Sequence, residues 1–191
     1  MHLFCYNYFG DYMSNLKIIN GSCIDQEVDA IVNAANKNLI PGSGVCGEIY
    51  KKAGYNELNE ACLKIKIPLK DGDAVITPAF NIKNAKYIIH AVGPNFIVTP
   101  NAFNSLFNAY YNSLILLKDY NLHSISFPLI SSGIFGGNLE NPPIESAKQC
   151  INAYNRFISE NIDYDIKVFL CCFTNKEYKD ILSVKNDIYN I

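Results

Sequence analysis

AIVNAANKNLIPGSGVCGEIYKK, residues Ala30 to Lys52, decides the fold class. It opens on an apolar run, Ala30-Ile31-Val32, that reads as the end of a buried strand. The run turns polar at Asn33 and Asn36 and enters a loop with two glycines, Pro41-Gly42-Ser43-Gly44. Val45 to Lys52 then has helical spacing, with Val45 and Ile49 on one face. Strand, glycine loop and helix N-terminus in that order make an anion site. The first N–H groups of a helix have no internal partner and carry the positive end of its dipole. Glycines let backbone approach an oxyanion closely. The stretch therefore predicts a site for a phosphate-bearing small molecule, with asparagine amides at its mouth. It is not a Walker loop, because no Gly-Lys-Ser/Thr follows. It is not the dinucleotide fingerprint either, because the third glycine is misplaced.

The rest of the chain sets bounds on that reading. For 191 residues one domain is the default, long enough to bury a sizeable core. Residues 1–14 are aromatic-rich and irregular and read as an edge strand or a loose arm, with one domain over 15–191. No stretch approaches a membrane span, and Met1 to Tyr12 lacks the basic start and apolar core of a signal peptide. A net charge of −2 without a basic block argues against a protein built to grip long nucleic acid. Seven cysteines without C-x-x-C spacing indicate neither a disulfide framework nor a zinc ribbon. Reduced thiols in a cytosol fit best. The expectation is a cytoplasmic monomer that needs no metal or cofactor.

Outward from the organising stretch, Leu16–Ile19 and Val28–Val32 read as strands. Asn56 reads as the N-cap of a helix over Glu57–Lys66. Asp73–Thr77 and Tyr87–Val92 are strands, the second broken by Gly93-Pro94. Asn101–Tyr120 has a strong helical period through Phe103, Leu106, Phe107, Tyr110, Leu114 and Leu117. Ser124–Ile130 is a strand that runs into a second glycine-rich loop, Ser131-Ser132-Gly133-Ile134-Phe135-Gly136-Gly137. Pro142-Pro143 starts a helix, Ile166–Phe173 is a central strand, and Asn175–Val184 is a last helix. Alternating strands and helices predict an α/β layered domain, with ligand beyond the C-terminal ends of the strands. Adjacent Cys171 and Cys172 face opposite sides of their strand and fill the core. His90, inside an apolar strand, reads as a hydrogen-bonded core histidine, and Asn33 as a residue that bonds its own loop.

Five segments together resemble the macrodomain family of ADP-ribose-binding modules: VDAIVNAAN (28–36), GSGVCGEIYKKAG (42–54), GDAVITPAF (72–80), KYIIHAVGP (86–94) and SISFPLISSGIFGG (124–137). Their order and spacing also match the family. The resemblance implies a three-layer α/β/α sandwich with a central mixed sheet, and ADP-ribose or an ADP-ribosylated protein or nucleic acid as ligand. It implies that Gly42, Ser43, Gly44 and Val45 close over the diphosphate from one side, and Ser131, Ser132, Gly133, Ile134, Phe135 and Gly136 from the other. Asn36 would contact the distal ribose, with Phe135 beside it, and Phe173 would lie against the adenine.

Two departures stand out. Where the family has Gly-Asp-Ile early in the chain, this sequence has Gly21-Ser22-Cys23. The hydroxyl of Ser22 accepts a hydrogen bond from an adenine amine more weakly than a carboxylate. One hydrolytic branch carries Gly-Val-Asp-Gly, where this chain has Gly44-Val45-Cys46-Gly47. Cys46 replaces that carboxylate only if the helix N-terminus lowers its pKa to give a thiolate. Glu48, the nearest acid, points about 200° around the helix from Cys46. The resemblance therefore leaves three activities open. One is hydrolysis of ADP-ribose linkages, as a glycohydrolase or an O-acetyl-ADP-ribose deacetylase, with Asn36 positioning water. The others are an ADP-ribose reader without turnover and an ADP-ribose 1″-phosphate phosphatase or sensor.

Overall fold

A computed structural model of the chain describes residues 14–184. The arm or edge strand expected over 1–14 thus lies, apart from Ser14, outside the described residues. The described chain builds one six-stranded sheet between two helical layers. In chain order the elements are β1 (Asn15–Asn20), β2 (Ala30–Ala35), α1 (Gly44–Ala53), α2 (Tyr55–Leu63), β3 (Ala74–Pro78), β4 (Tyr87–Val92), α3 (Phe103–Asp119), β5 (Ser124–Pro128), α4 (Pro142–Glu160), β6 (Lys167–Cys172) and α5 (Asn175–Ser183). The sheet order is β1-β6-β5-β2-β4-β3. Only β3 runs antiparallel to its neighbour, so the sheet is mixed and five strands share one direction.

Successive residues of a strand face opposite sides, and the core divides accordingly. Ile31, Ile88 and Cys171 point toward α1 and α2, whereas Val32, Ile89 and Cys172 point toward α3 and α4. All six are buried. Burying each Ile or Val fully contributes about 1.5–3 kcal/mol. On α3 the expected stripe is buried at Leu106, Tyr110, Leu114 and Leu117, while Phe103 and Phe107 pack at its margin. Among the described residues no helix is long and apolar enough to cross a membrane.

Several boundaries differ from expectation: β2 runs on to Ala35 rather than ending at Val32, and β5 stops at Pro128. Asn56 does not cap α2, which starts at Tyr55 with Gly54 as its N-cap and ends at Leu63. Gly54 has φ of 100°, a backbone state that allows α1 to stop and α2 to start at one residue. Thr174 and Glu177 form a capping box on α5, with Thr174 N–H donating to Glu177 Oε2 (2.8 Å) and Glu177 N–H to Thr174 Oγ1 (3.2 Å). The five parallel strands end at Asn20, Cys172, Pro128, Ala35 and Val92, all at one edge of the sheet. The segments that leave those ends make the site.

Candidate functional site

A cleft of ≈ 750 Å³ lies across the C-terminal edge of the sheet. Its two long walls are the loop that opens α1, Gly42–Val45, and the loop after β5, Ser131–Phe135. Ser22, Cys23 and Phe173 line one end, and Asn36, Gly93 and Phe135 the other. Gly136 is buried and does not line the cleft.

The first wall is held close to α1. A Cβ added at Gly47 would sit 2.7 Å from the carbonyl oxygen of Gly42, so only glycine lets the loop pack there. The Ser43 side chain makes no hydrogen bond to the helix it precedes, which leaves the first N–H groups of α1 facing the cleft. The second wall is anchored from the core. Tyr110 and Ser146 close a ring of hydrogen bonds around Ile130. Ile130 N–H donates to the Tyr110 hydroxyl (2.8 Å), Tyr110 donates to Ser146 Oγ (2.7 Å), and Ser146 donates to the Ile130 carbonyl (2.7 Å). Beyond the ring, Ser131 Oγ donates to the Pro94 carbonyl (2.8 Å) and Ser132 Oγ to that of Leu129 (2.8 Å). The serine hydroxyls are thus spent on shaping the loop.

Asn36 lines the cleft and also holds its own turn. Its Oδ1 accepts from Asn38 N–H (3.1 Å) and Ile40 N–H (3.2 Å), and its Nδ2 donates to the Ile40 carbonyl (2.7 Å). An asparagine amide offers two acceptor positions and two donors, so one N–H of Nδ2 is left for a ligand. Asn33 is not the loop-bonding residue the sequence suggests. It is buried in β2 with Nδ2 3.1 Å from Nδ1 of His90, whose Nε2 lies 2.9 Å from Thr77 Oγ1.

At Cys46 burial favours a core-filling thiol over a thiolate nucleophile. The residue is buried, and burial pushes its thiol pKa above the ordinary value, outweighing the backbone N–H of Gly42 and the amide of Asn33. Cys46 is a neutral thiol whose Sγ lies 4.0 Å from the Ile40 carbonyl. Cys23 is likewise pushed up to about 12 by burial. Ser22 caps a short turn over Cys23–Asp25, its Oγ accepting from Ile24 N–H (3.3 Å). Phe173 is 79% exposed and presents a flat apolar face at the lip.

Sequence reasoning misses two contributors, Glu177 and Gly93, and gives Glu48 only as the acid nearest Cys46. Glu48 and Glu177 both line the cleft, although Glu48 stands far around the helix from Cys46. The Thr-x-x-Glu capping pattern is the available signal for Glu177. Gly93 reads in the sequence only as a strand breaker, yet it follows β4 at the edge where the other loops converge. Among the described residues no group of three or more His, Cys, Asp or Glu is placed to hold a metal ion. A second cavity of ≈ 300 Å³ adjoins the cleft, sharing Asn36, Gly93 and Phe135 with it.

The chain is similar to known proteins. A family model described as Macro domain matches residues 32–142. A macro domain-containing protein of Caldanaerobacter subterraneus subsp. tengcongensis is 39% identical over 169 residues, which span 86% of this chain and 91% of the relative. An O-acetyl-ADP-ribose deacetylase of Citrobacter rodentium is 35% identical over 181 residues, 91% of this chain and 98% of the relative. The ADP-ribose glycohydrolase MACROD1 of Mus musculus is 35% identical over 164 residues, 85% of this chain but 49% of that longer protein. Among solved structures, an Oceanobacillus iheyensis macrodomain with ADP superposes with a TM-score of 0.83 at 33% identity, covering 93% of this chain and 94% of that one. A Trypanosoma brucei macrodomain in complex with ADP-ribose does so with a TM-score of 0.76 at 29% identity, covering 89% and 68%. With more than half of its length matched by the family model and near-full-length relatives above 30% identity, the chain belongs to the macro domain family.

Proposed function

We propose that this protein binds ADP-ribose in the cleft and hydrolyses ADP-ribose linkages, as a mono-ADP-ribosyl glycohydrolase or O-acetyl-ADP-ribose deacetylase. One observation carries the reading: two loops of small or uncharged residues face each other across ≈ 750 Å³ and offer backbone N–H groups rather than fixed cations. Such a cradle suits a diphosphate that must be released again. In this assignment Gly42–Val45 and Ser131–Phe135 hold the diphosphate, and Phe173 lies against the adenine. Asn36 and Phe135 flank the distal ribose. The names of the mouse and Citrobacter relatives support hydrolysis, and the ADP-ribose complex of the Trypanosoma macrodomain supports the ligand.

The hydrolytic step needs a water held at the anomeric or ester carbon. A buried neutral thiol at position 46 does not deprotonate it. The remaining N–H of Asn36 and the substrate's own phosphate oxygens are the groups left to orient that water. The same neutral Cys46 favours a second reading, a reader that binds ADP-ribose without turnover. The ligand in either case is ADP-ribose or an ADP-ribosylated macromolecule, met by a monomer.

Calorimetric titration with ADP-ribose, run beside incubation with mono-ADP-ribosylated protein, decides between them. Binding with release of free ADP-ribose is the expected result, with Asn36→Ala losing release more than affinity. Binding without release establishes the reader. No binding overturns both.

A further inference from the structure

We propose that Glu177 selects the base at the Phe173 end of the cleft, by accepting a hydrogen bond from an exocyclic amine. It thereby favours adenine over a base with a carbonyl in that place. The inference rests on the ADP-ribose reading of the cleft and deepens it. The helix cap of α5 puts the carboxylate there. Thr174 N–H donates to Glu177 Oε2 (2.8 Å), and Glu177 N–H donates to Thr174 Oγ1 (3.2 Å). These two bonds fold the side chain back over the first turn of the helix. The carboxylate is thus fixed against the peptide that joins Phe173 to Thr174, beside the exposed ring on which a base would lie. Phe173 and Glu177 both line the cleft.

Only half of that carboxylate is used by the fold. Oε2 is taken by the cap. Among the described residues Oε1 has no hydrogen-bond partner, and no lysine or arginine pairs with the group. Glu177 is half-buried, so Oε1 is an oriented, partly desolvated acceptor. Its neighbours at this end offer nothing equivalent. Ser22 Oγ already accepts from Ile24 N–H (3.3 Å), and the Ser22 carbonyl accepts from Gln26 Nε2 (2.9 Å). The Ser22 O–H remains as a donor, suited to a ring nitrogen of the base. Cys23 and Cys171 are thiols that burial keeps neutral, and a neutral thiol accepts weakly. Glu48, on α1, is the other carboxylate among the described residues of the cleft lining, which includes no lysine or arginine. An amine facing Oε1 supplies the missing proton. A carbonyl there sets two acceptors against each other with no donor between them.

The test is calorimetric titration of the full chain with ADP-ribose and with two analogues changed only at the base. One carries a hydrogen, the other a carbonyl, in place of the adenine amine. The wild type should bind ADP-ribose about tenfold tighter than either, the size of one hydrogen bond to a charged group. Glu177→Gln keeps the cap, because a glutamine oxygen also accepts from Thr174 N–H, and its Nε2 then faces the base. This variant should bind ADP-ribose and the hydrogen analogue within about twofold of each other, and the carbonyl analogue more tightly than ADP-ribose. Glu48→Gln removes an equal charge and should leave the order of the three ligands as in the wild type. Equal affinities of the wild type for all three, or an unchanged preference in Glu177→Gln, overturns the assignment. The same shift in Glu48→Gln also overturns it, because the preference would then follow the charge of the cleft rather than Glu177. Absence of binding to ADP-ribose itself overturns the reading of the cleft beneath it.

Discussion

His90 has no exposed surface, and its two ring nitrogens are taken by Asn33 Nδ2 and Thr77 Oγ1. A neutral imidazole satisfies both contacts, donating at one nitrogen and accepting at the other. Burial lowers the pKa of the ring from its ordinary 6.5 to about 4, so the native state keeps it neutral. The consequence for stability has a definite sign. As pH falls below about 6.5 the unfolded chain takes up this proton before the folded one does. The contribution is complete above that pH, declines down to about 4, and is flat below. The limiting slope is about 1.4 kcal/mol per pH unit for one proton. Urea denaturation between pH 7.5 and 4.5 should show this decline in the wild type and a flatter profile in His90→Gln. Equal slopes would mean that His90 is not the group responsible. Cys46 follows the same physics: burial holds it neutral, so a helix N-terminus alone does not make a thiolate. That outcome depends on packing against the Pro41–Gly44 loop, which spacing in the sequence does not report.

Loops behave as elements here because each is fixed at its root and free at its tip. An added Cβ at Gly133 meets nothing within 4 Å, so Gly133→Glu should fold with an unchanged melting temperature. Its carboxylate would stand beside a diphosphate. Like charges a few ångströms apart in a partly screened cleft repel by several kcal/mol. Affinity for ADP-ribose should fall at least a hundredfold, about 2.7 kcal/mol, and unchanged affinity in the folded variant would sink the two-loop site. The root of the same loop gives the opposite pattern. Tyr110→Phe breaks the ring around Ile130 and leaves a buried N–H without its acceptor, at a cost of about 1–3 kcal/mol. Stability should drop first, with affinity lost through the loop's position; an unaffected denaturation midpoint would refute the anchor. The tip is legible in the sequence, because Ser-Ser-Gly-x-x-Gly-Gly after an apolar run has few other readings. The root is not, because Tyr110 reads as one more residue of an apolar stripe and its hydroxyl partners lie 20 to 36 positions away. Asn36 is legible as a site residue and illegible as a turn former, since its bonds to Asn38 and Ile40 exist only once the turn closes.

Across the whole molecule, function and cohesion sit at opposite ends of one sheet. The strands deliver their C-terminal ends to the cleft, while Asp29 gathers the N-terminal ends. Asp29 Oδ2 accepts from His123 N–H (3.0 Å), Ser124 N–H (3.1 Å) and Ser124 Oγ (2.9 Å), and Oδ1 pairs with Lys86 Nζ at 2.9 Å. Its carbonyl accepts from Lys86 and Tyr87, so one residue just before β2 ties that strand to β4 and β5. Partial burial alone would raise its pKa; the hydrogen bonds from Lys86, His123 and Ser124 outweigh burial and hold it below the usual 3.8. A depressed carboxylate pKa stabilises the fold above the unfolded value and is lost as pH falls through the folded one. The wild type should therefore lose this contribution only below about pH 4, beneath the interval in which His90 acts. Asp29→Asn cannot accept at both oxygens, and should cost about 1–2 kcal/mol at neutral pH, toward the low end because the site is partly solvated. Because the latch is a full strand length from the cleft, Kd for ADP-ribose should not change. The stability loss should also add to that of Tyr110→Phe within about 0.5 kcal/mol, as for sites without shared partners. Denaturation of the two single variants and the double, each titrated with ADP-ribose, checks this separation. A weakened Kd in Asp29→Asn would show that the two ends of the sheet are coupled rather than independent.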